Sequence, residues 1–211
     1  TAGGLSYGLV GSELCIRHRP KLASGEWIGC FGLTEPDPGS DPGSMATRAK
    51  KVDGGYSLTG NKMWITNGAI AKGELGDTFL VYARLEGAAR NELSMFIVEK
   101  GMPGFSLGQK IEDKLGMRAS TTAELVFEDC RVPAENLVGT EGSAMLHMMR
   151  NLEIERLTLA AMSLGIARRS IEVMNNYARD RKSFGEPLNR FGQIQRHIAE
   201  SYAAYMAGRS Y

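Results

Sequence analysis

The hydrophobic pattern of this chain changes period once, and that change limits what it can fold into. Between residue 28 and about residue 138 the apolar residues come in short alternating or continuous runs, cut by glycine and proline. After Gly142 they recur at helical spacing as far as about Arg179. The first pattern belongs to strands and the second to helices. Strands followed by helices, rather than alternating with them, give an α+β chain.

Within the strand region, Met45–Val52 alternates in part and stops at Asp53-Gly54-Gly55, after which Tyr56–Gly60 resumes, so a hairpin is expected there. Thr78–Ala83 and Ser94–Glu99 read as central strands, Phe105–Leu107 follows Met102-Pro103-Gly104, and Ala123–Glu128 alternates before Pro133. Short strands without intervening helices predict an antiparallel sandwich or barrel. In the helical region, Leu152, Glu155, Arg156 and Leu159 share one side, and Ile154, Leu157, Ala161 and Leu164 form the neighbouring stripe. Lys182–Pro187 breaks this helix. A second runs from about Phe191, carrying Ile194, Ile198, Tyr202, Tyr205 and Met206, and both helices expect further partners. Residues 1–27 read as the end of a helix plus a connector, with Arg17-His18-Arg19-Pro20 as a stop. Gly3-Gly4-Leu5-Ser6-Tyr7-Gly8 fits either close packing or a flexible terminus. The expected domains are therefore 1–27, a β-domain at 28–138, and a helical domain at 139–211.

Charge narrows the function. Lys+Arg 25 against Asp+Glu 24 gives a net +1 over 211 residues, which lacks the basic footprint of a nucleic-acid binder. Any anion must be gripped locally. Three cysteines without CxxC spacing (Cys15, Cys30, Cys130) fit neither a disulfide framework nor a structural zinc site, and point to a reducing compartment. His18, His147 and His197 are scattered without ligand spacing, so no metal is expected. No apolar stretch reaches the roughly 20 residues of a membrane span.

Four stretches could carry chemistry. Leu33-Thr34-Glu35-Pro36-Asp37-Pro38-Gly39-Ser40-Asp41 is a Pro/Gly loop at a strand end. It could offer backbone N–H groups and the Thr34 and Ser40 hydroxyls to a phosphate or ring edge, or be a plain polar turn. Met63-Trp64-Ile65-Thr66-Asn67-Gly68 could present an aromatic face and a hydroxyl to a planar cofactor, or hold a core tryptophan. In Glu153-Ile154-Glu155-Arg156, successive residues lie about 100° apart around a helix, so Glu153 and Glu155 cannot face one ligand squarely. Glu155 falls on the apolar side, where partial desolvation would suit a general base; the plainer reading pairs it with Arg156. Arg179-Asp180-Arg181-Lys182-Ser183-Phe184-Gly185 is a basic cluster that complements a helix C-terminus or grips a phosphate.

Taken in order, these phrases, with Phe127-Glu128-Asp129-Cys130-Arg131-Val132-Pro133, resemble the acyl-CoA dehydrogenase family over nearly the whole chain. Leu5–Gly8, Val98–Phe105 and Leu152–Leu157 are similar to its isovaleryl-type branch. The resemblance implies a β-domain flanked by an N-terminal helical remnant and a truncated C-terminal helical bundle. It also implies FAD as cofactor. Phe31, Leu33, Thr34 and Ser40 would wrap the flavin, Trp64, Ile65 and Thr66 would lie along it, Phe184 would touch the FAD, and Arg181 would hold the FAD of a neighbouring subunit. Ser40, Glu153 and Arg156 would touch the CoA thioester. Glu155 would remove the α-proton, a position that separates this branch from relatives with a base nearer the C-terminus. An electron-transfer flavoprotein as partner, a homotetramer, leucine catabolism, and a bacterial cytoplasm or mitochondrial matrix are further implications. An oxidase-like relative and a non-catalytic CoA- or flavin-binding fragment remain alternatives. Departures include Leu146 in place of a Tyr, Gly192 in place of a Gln, a missing segment after Arg19, and a small insertion at Ala71–Gly76.

Overall fold

Asp53 and Gly54 make the tight turn their sequence asks for, with Gly54 in the left-handed region at φ 75°. They join β2 (Arg48–Val52) to β3 (Gly55–Thr66) in the expected antiparallel hairpin, Val52 facing Gly55. The computed structural model describes residues 17–37, 39–70 and 73–211. The glycine-rich 3–8 stretch, Cys15, Pro38 and the Ala71-Lys72 part of the insertion lie outside them.

The other strands of the large sheet are β1 (Gly29–Gly32), β4 (Thr78–Leu85), β5 (Leu93–Glu99), β6 (Phe105–Lys110), β7 (Thr122–Pro133) and β8 (Leu137–Val138). Their order is β6-β7-β3-β2-β4-β5-β8, and this path does not close. Most pairs are antiparallel, as the short connections require. The exceptions are two parallel pairs on one edge of β4: β1 lies along Thr78–Val81 and β2 along Arg84–Leu85. The sheet is therefore mixed rather than wholly antiparallel. Between those two pairings the chain leaves the edge as the loop 33–47, so the Pro/Gly phrase emerges from a gap in the sheet.

The sheet curls over its own core. Phe105 on β6 meets Phe79 on β4 edge-on at 4.8 Å and stacks on Phe127 at 4.9 Å, while Tyr56 on β3 meets Phe96 on β5 at 4.9 Å. These strands are not sheet neighbours of β4 and β5, so only curvature brings the rings together. Leu58, Val81, Val98 and Leu125 complete a fully buried centre. Such aromatic pairs add about 0.5–1.5 kcal/mol each beyond their area.

The Phe127–Pro133 phrase is architectural. β7 carries an extra residue opposite Leu58–Gly60, and Asp129 absorbs it at φ 50°. Its carboxylate accepts from the Ser57 and Thr59 hydroxyls at 3.3 and 3.2 Å. Gly104 crosses close beside this bulge, its carbonyl accepting from Glu128 N–H at 2.8 Å. A Cβ on Gly104 would stand 2.3 Å from the Glu128 carbonyl oxygen, at φ 80°. Gly104→Ala is expected to cost roughly 1–3 kcal/mol from the dihedral alone, and more as the backbone shifts. Thermal unfolding should show a lower Tm, and an unchanged Tm would contradict the close approach.

The described residues fall into two compact units that part at Met148 and Met149. In the first, α1 (Arg19–Ser24) corrects the expected stop: Pro20 sits in its first turn, where a missing N–H costs nothing. α2 (Ala144–Asp180) supplies Ala144 and Met148 to the first unit. The second unit holds the rest of α2, a small hairpin of β9 (Lys182–Ser183) and β10 (Glu186–Pro187), and α3 (Gly192–Ser210). Ile171 and Ala178 are buried, and Leu164, in line with them at seven-residue spacing, packs so closely on Gly208 that a Cβ there would lie 3.0 Å from it. Phe184 and Gly185, both at positive φ, form the two-residue turn of the β9–β10 hairpin.

Candidate functional site

The loop 33–47 is held from inside by a buried ion pair. Glu35 is 2% exposed and Lys62, on β3, is 0% exposed; Lys62 Nζ donates to Glu35 Oε1 at 2.8 Å and to the Leu33 carbonyl at 3.1 Å. The Glu35 carboxylate also accepts from the Ala46 and Thr47 N–H groups. One carboxylate thus ties the loop's outgoing and returning legs to β3. Burial alone would raise the Glu35 pKa, but the Lys62 charge and these hydrogen bonds hold it below the usual carboxylate range. Burial pushes Lys62 down to about 8, with Glu35 opposing the shift. At its far end the loop is fixed by Asp41, which accepts from Ser44 Oγ and Arg90; those bonds hold its carboxyl low. The two N–H groups that Glu35 takes, those of Ala46 and Thr47, lie beyond the Leu33–Asp41 phrase and so are not among the donors expected to serve a ligand.

Next to Lys62 the strand is broken in phase. Lys62 pairs with Leu125 and Ile65 with Ala123, so β3 carries one residue more than β7 across this stretch. The bulge lets both Lys62 and Ile65 point inward, although their odd separation would place them on opposite faces of a regular strand. Trp64 takes the consequence. It adopts φ 59°, rare for a bulky residue, and the residue is 54% exposed. The core-tryptophan alternative is therefore overturned. Ile65 is 3% exposed and committed to the core, so only its backbone can serve a ligand.

The first unit gathers several expected residues. Met63 N–H donates to the Thr34 carbonyl at 2.9 Å, which brings the two sequence phrases edge to edge. Phe31, 40% exposed, rests edge-on against Tyr82 at 5.2 Å. Leu33 and Thr34 are half-buried, and Ser40 and Thr66 are exposed. Among the described residues, the Thr34, Ser40 and Thr66 hydroxyls have no hydrogen-bond partner, so each is available to a ligand. An exposed indole, an exposed phenyl and free hydroxyls fit a large planar heteroaromatic group. A groove of about 840 Å³ between Lys51, Leu85, Glu92 and Ser143 contains none of these residues, and its Lys51 is paired with Glu141 at 2.8 Å.

The second unit carries the remaining candidates. Glu153, Glu155 and Arg156 are all exposed on α2. The partial desolvation expected of Glu155 is not supplied by its own helix, because a single helix cannot wall off a side chain it projects outward. Among the described residues Glu155 and Arg156 form no ion pair, so the plain pairing alternative fails as well. Arg181 follows the end of α2, its side chain exposed, while its carbonyl accepts from Leu188 N–H at 2.8 Å. Phe184 is 95% exposed at the hairpin tip, with its ring centre 6.4 Å from that of Phe191.

Residues 30–130 match the family model for the acyl-CoA dehydrogenase middle domain, and residues 145–211 match that for the acyl-CoA dehydrogenase C-terminal domain. The chain belongs to the acyl-CoA dehydrogenase family. It is 46% identical to the mitochondrial isovaleryl-CoA dehydrogenase of Oryza sativa subsp. japonica, covering 99% of this chain and 53% of that protein. It is 45% identical to the mitochondrial 2-methylacyl-CoA dehydrogenase of Solanum tuberosum, covering 100% and 53%. A solved structure described as the FAD complex of PigA superposes with a TM-score of 0.85 at 30% identity, covering 93% of this chain and 50% of that one. The chain spans about half the length of the relatives it matches. Among the described residues no helix is long and apolar enough to cross a membrane.

Lys62 and Glu35 are the residues that sequence reasoning passed over. Their signal was present: the single charge of β3, in phase with the inward Tyr56 and Leu58, and an acid just before Pro36 on the loop that strand must meet.

Proposed function

We propose that this acyl-CoA dehydrogenase-family chain serves an FAD-dependent oxidation of a short branched acyl-CoA to its trans-2-enoyl-CoA. The observation that carries the reading is Trp64, held exposed against its backbone preference beside Thr34 and close to Thr66. A bulky residue in the left-handed region persists only where surrounding structure over-determines it, and such strain concentrates at working sites. When bound, FAD would supply the two-electron acceptor: the β-hydride would go to its N5 while the α-proton would leave to a base, so that one C–H bond is lost at each carbon and a C=C bond forms. Trp64 and Phe31 would pack against the ring, Leu33 and the Ile65 backbone would border it, and Thr34, Ser40 and Thr66 would donate hydrogen bonds to it. Glu155 would take the α-proton, and Ser40, Glu153 and Arg156 would hold the thioester's CoA arm. Arg181 and Phe184 would meet the FAD of a second copy in a homotetramer. An electron-transfer flavoprotein would receive the electrons. The family relation and the names of the relatives support this assignment, the branched acyl group above all.

The test is an anaerobic titration of the full-length flavin-loaded protein with isovaleryl-, isobutyryl-, butyryl- and longer acyl-CoAs, following visible flavin absorbance. Bleaching by isovaleryl-CoA at the lowest concentration is the expected result. No bleaching by any thioester would overturn the assignment, and fast reoxidation by oxygen alone would favour an oxidase.

A further inference from the structure

Lys62 stands two positions before Trp64, and the bulge between them does two opposite things at once. It turns a cation into the core and an indole out to solvent. A strand without the extra residue would put Lys62 and Trp64 on the same face, because side chains two apart share a face. Burying Lys62 against Glu35 and exposing Trp64 are therefore one structural decision. The neighbouring bonds reinforce it: Lys62 Nζ to the Leu33 carbonyl at 3.1 Å, and Met63 N–H to the Thr34 carbonyl at 2.9 Å, clamp the loop on the residues that flank the strained backbone. An apolar pair could fill the same volume. What it could not supply is the directional bond to Leu33 or the carboxylate that gathers the Ala46 and Thr47 N–H groups.

We propose that Lys62 and Glu35 are positioning residues for the flavin site: without touching the ring, they hold the bulge that fixes the Trp64 indole and the Leu33–Thr34 backbone in ligand-ready geometry. The flavin clause rests on the function proposed above; the indole clause does not. Buried polar pairs are retained in some proteins for conformational specificity rather than net stability, and this placement fits that use. The depressed Lys62 pKa fits it too, since the cation is kept at a cost for its bonds.

The test compares the full-length protein with Lys62→Met/Glu35→Gln, which keeps volume and removes both charges. Gly104→Ala serves as a control that strains the sheet away from the clamp. Trp27→Phe in every background, with any tryptophan outside these 211 residues likewise changed to Phe, leaves Trp64 as the sole tryptophan. In flavin-free protein, well below each Tm, the double variant should show lower Trp64 fluorescence anisotropy and faster acrylamide quenching than the control. Its FAD dissociation constant should rise at least tenfold, and the visible circular dichroism of bound FAD should weaken, with Gly104→Ala unchanged in both. Unaltered Trp64 anisotropy and quenching in the double variant would overturn the positioning role. A loosened Trp64 with unchanged FAD affinity and dichroism would overturn its link to the flavin. If the parent protein itself fails to bind FAD, the function proposed above falls, and the anisotropy still decides the positioning role.

Discussion

Replacing Glu155 by Gln is expected to lower the rate of acyl-CoA-dependent flavin bleaching by about 100- to 10,000-fold, the range that a positioned general base contributes. Glu155 sits on α2 with its carboxylate exposed within its unit and unpaired with Arg156. No neighbour in that unit depends on it, so Gln should fold normally and leave FAD binding intact. Gln keeps the volume and the hydrogen-bonding capacity but cannot accept a proton at neutral pH. The loss should therefore appear in the chemical step, with little change in thioester affinity. Glu153→Gln, two positions away and about 200° around the same helix, should cost far less and mainly raise KM. Rapid-mixing absorbance with isovaleryl-CoA separates the two. A Glu155→Gln protein that bleaches at the parent rate would end the assignment of the base.

Lys62→Ala is expected to destabilise the first unit by about 3–5 kcal/mol, because it strands the Glu35 carboxylate in a dry interior. Glu35 is 2% exposed and Lys62 0%, so neither charge can recover water without opening the loop 33–47. Removing both charges together in Lys62→Met/Glu35→Gln should restore most of the loss, since desolvation is then no longer owed by either group. Chemical denaturation of the single and double variants checks the pattern: a double variant as unstable as the single would contradict the pair. The same carboxylate sets an acid limit. Its folded pKa lies below the unfolded value, so its contribution is present above that value and is lost as pH falls through the folded pKa. Parent stability should thus fall on acidification below about pH 4, and more steeply than that of the double variant.

Much of the fold was legible in the chain. Asp53-Gly54 dictated a turn by its own dihedral needs, and the strands at Thr78–Leu85 and Leu93–Glu99 and the helix ending at Asp180 follow from apolar spacing. These are local properties: a turn residue or a period acts within a few positions, whatever the rest of the molecule does. The family phrases were equally legible, because they are contiguous. Pro20 was not legible in this way, since a proline can end one helix or open another and only the flanking backbone distinguishes the two.

What the tertiary structure alone decided is phase and partnership. A period-2 pattern tells which residues share a face, but an inserted residue shifts that phase, and where it is inserted depends on the strand alongside. The β3–β7 pairing placed the extra residue between Lys62 and Ile65, which sent Lys62 in and Trp64 out. Glu35 became its partner across 27 positions of sequence because β1 and β2 share one edge of β4 and the loop between them must pass over β3. The change of period determined that the chain would be strands and then helices. The strained tryptophan and the buried pair beneath it come from long-range register, which no local pattern encodes.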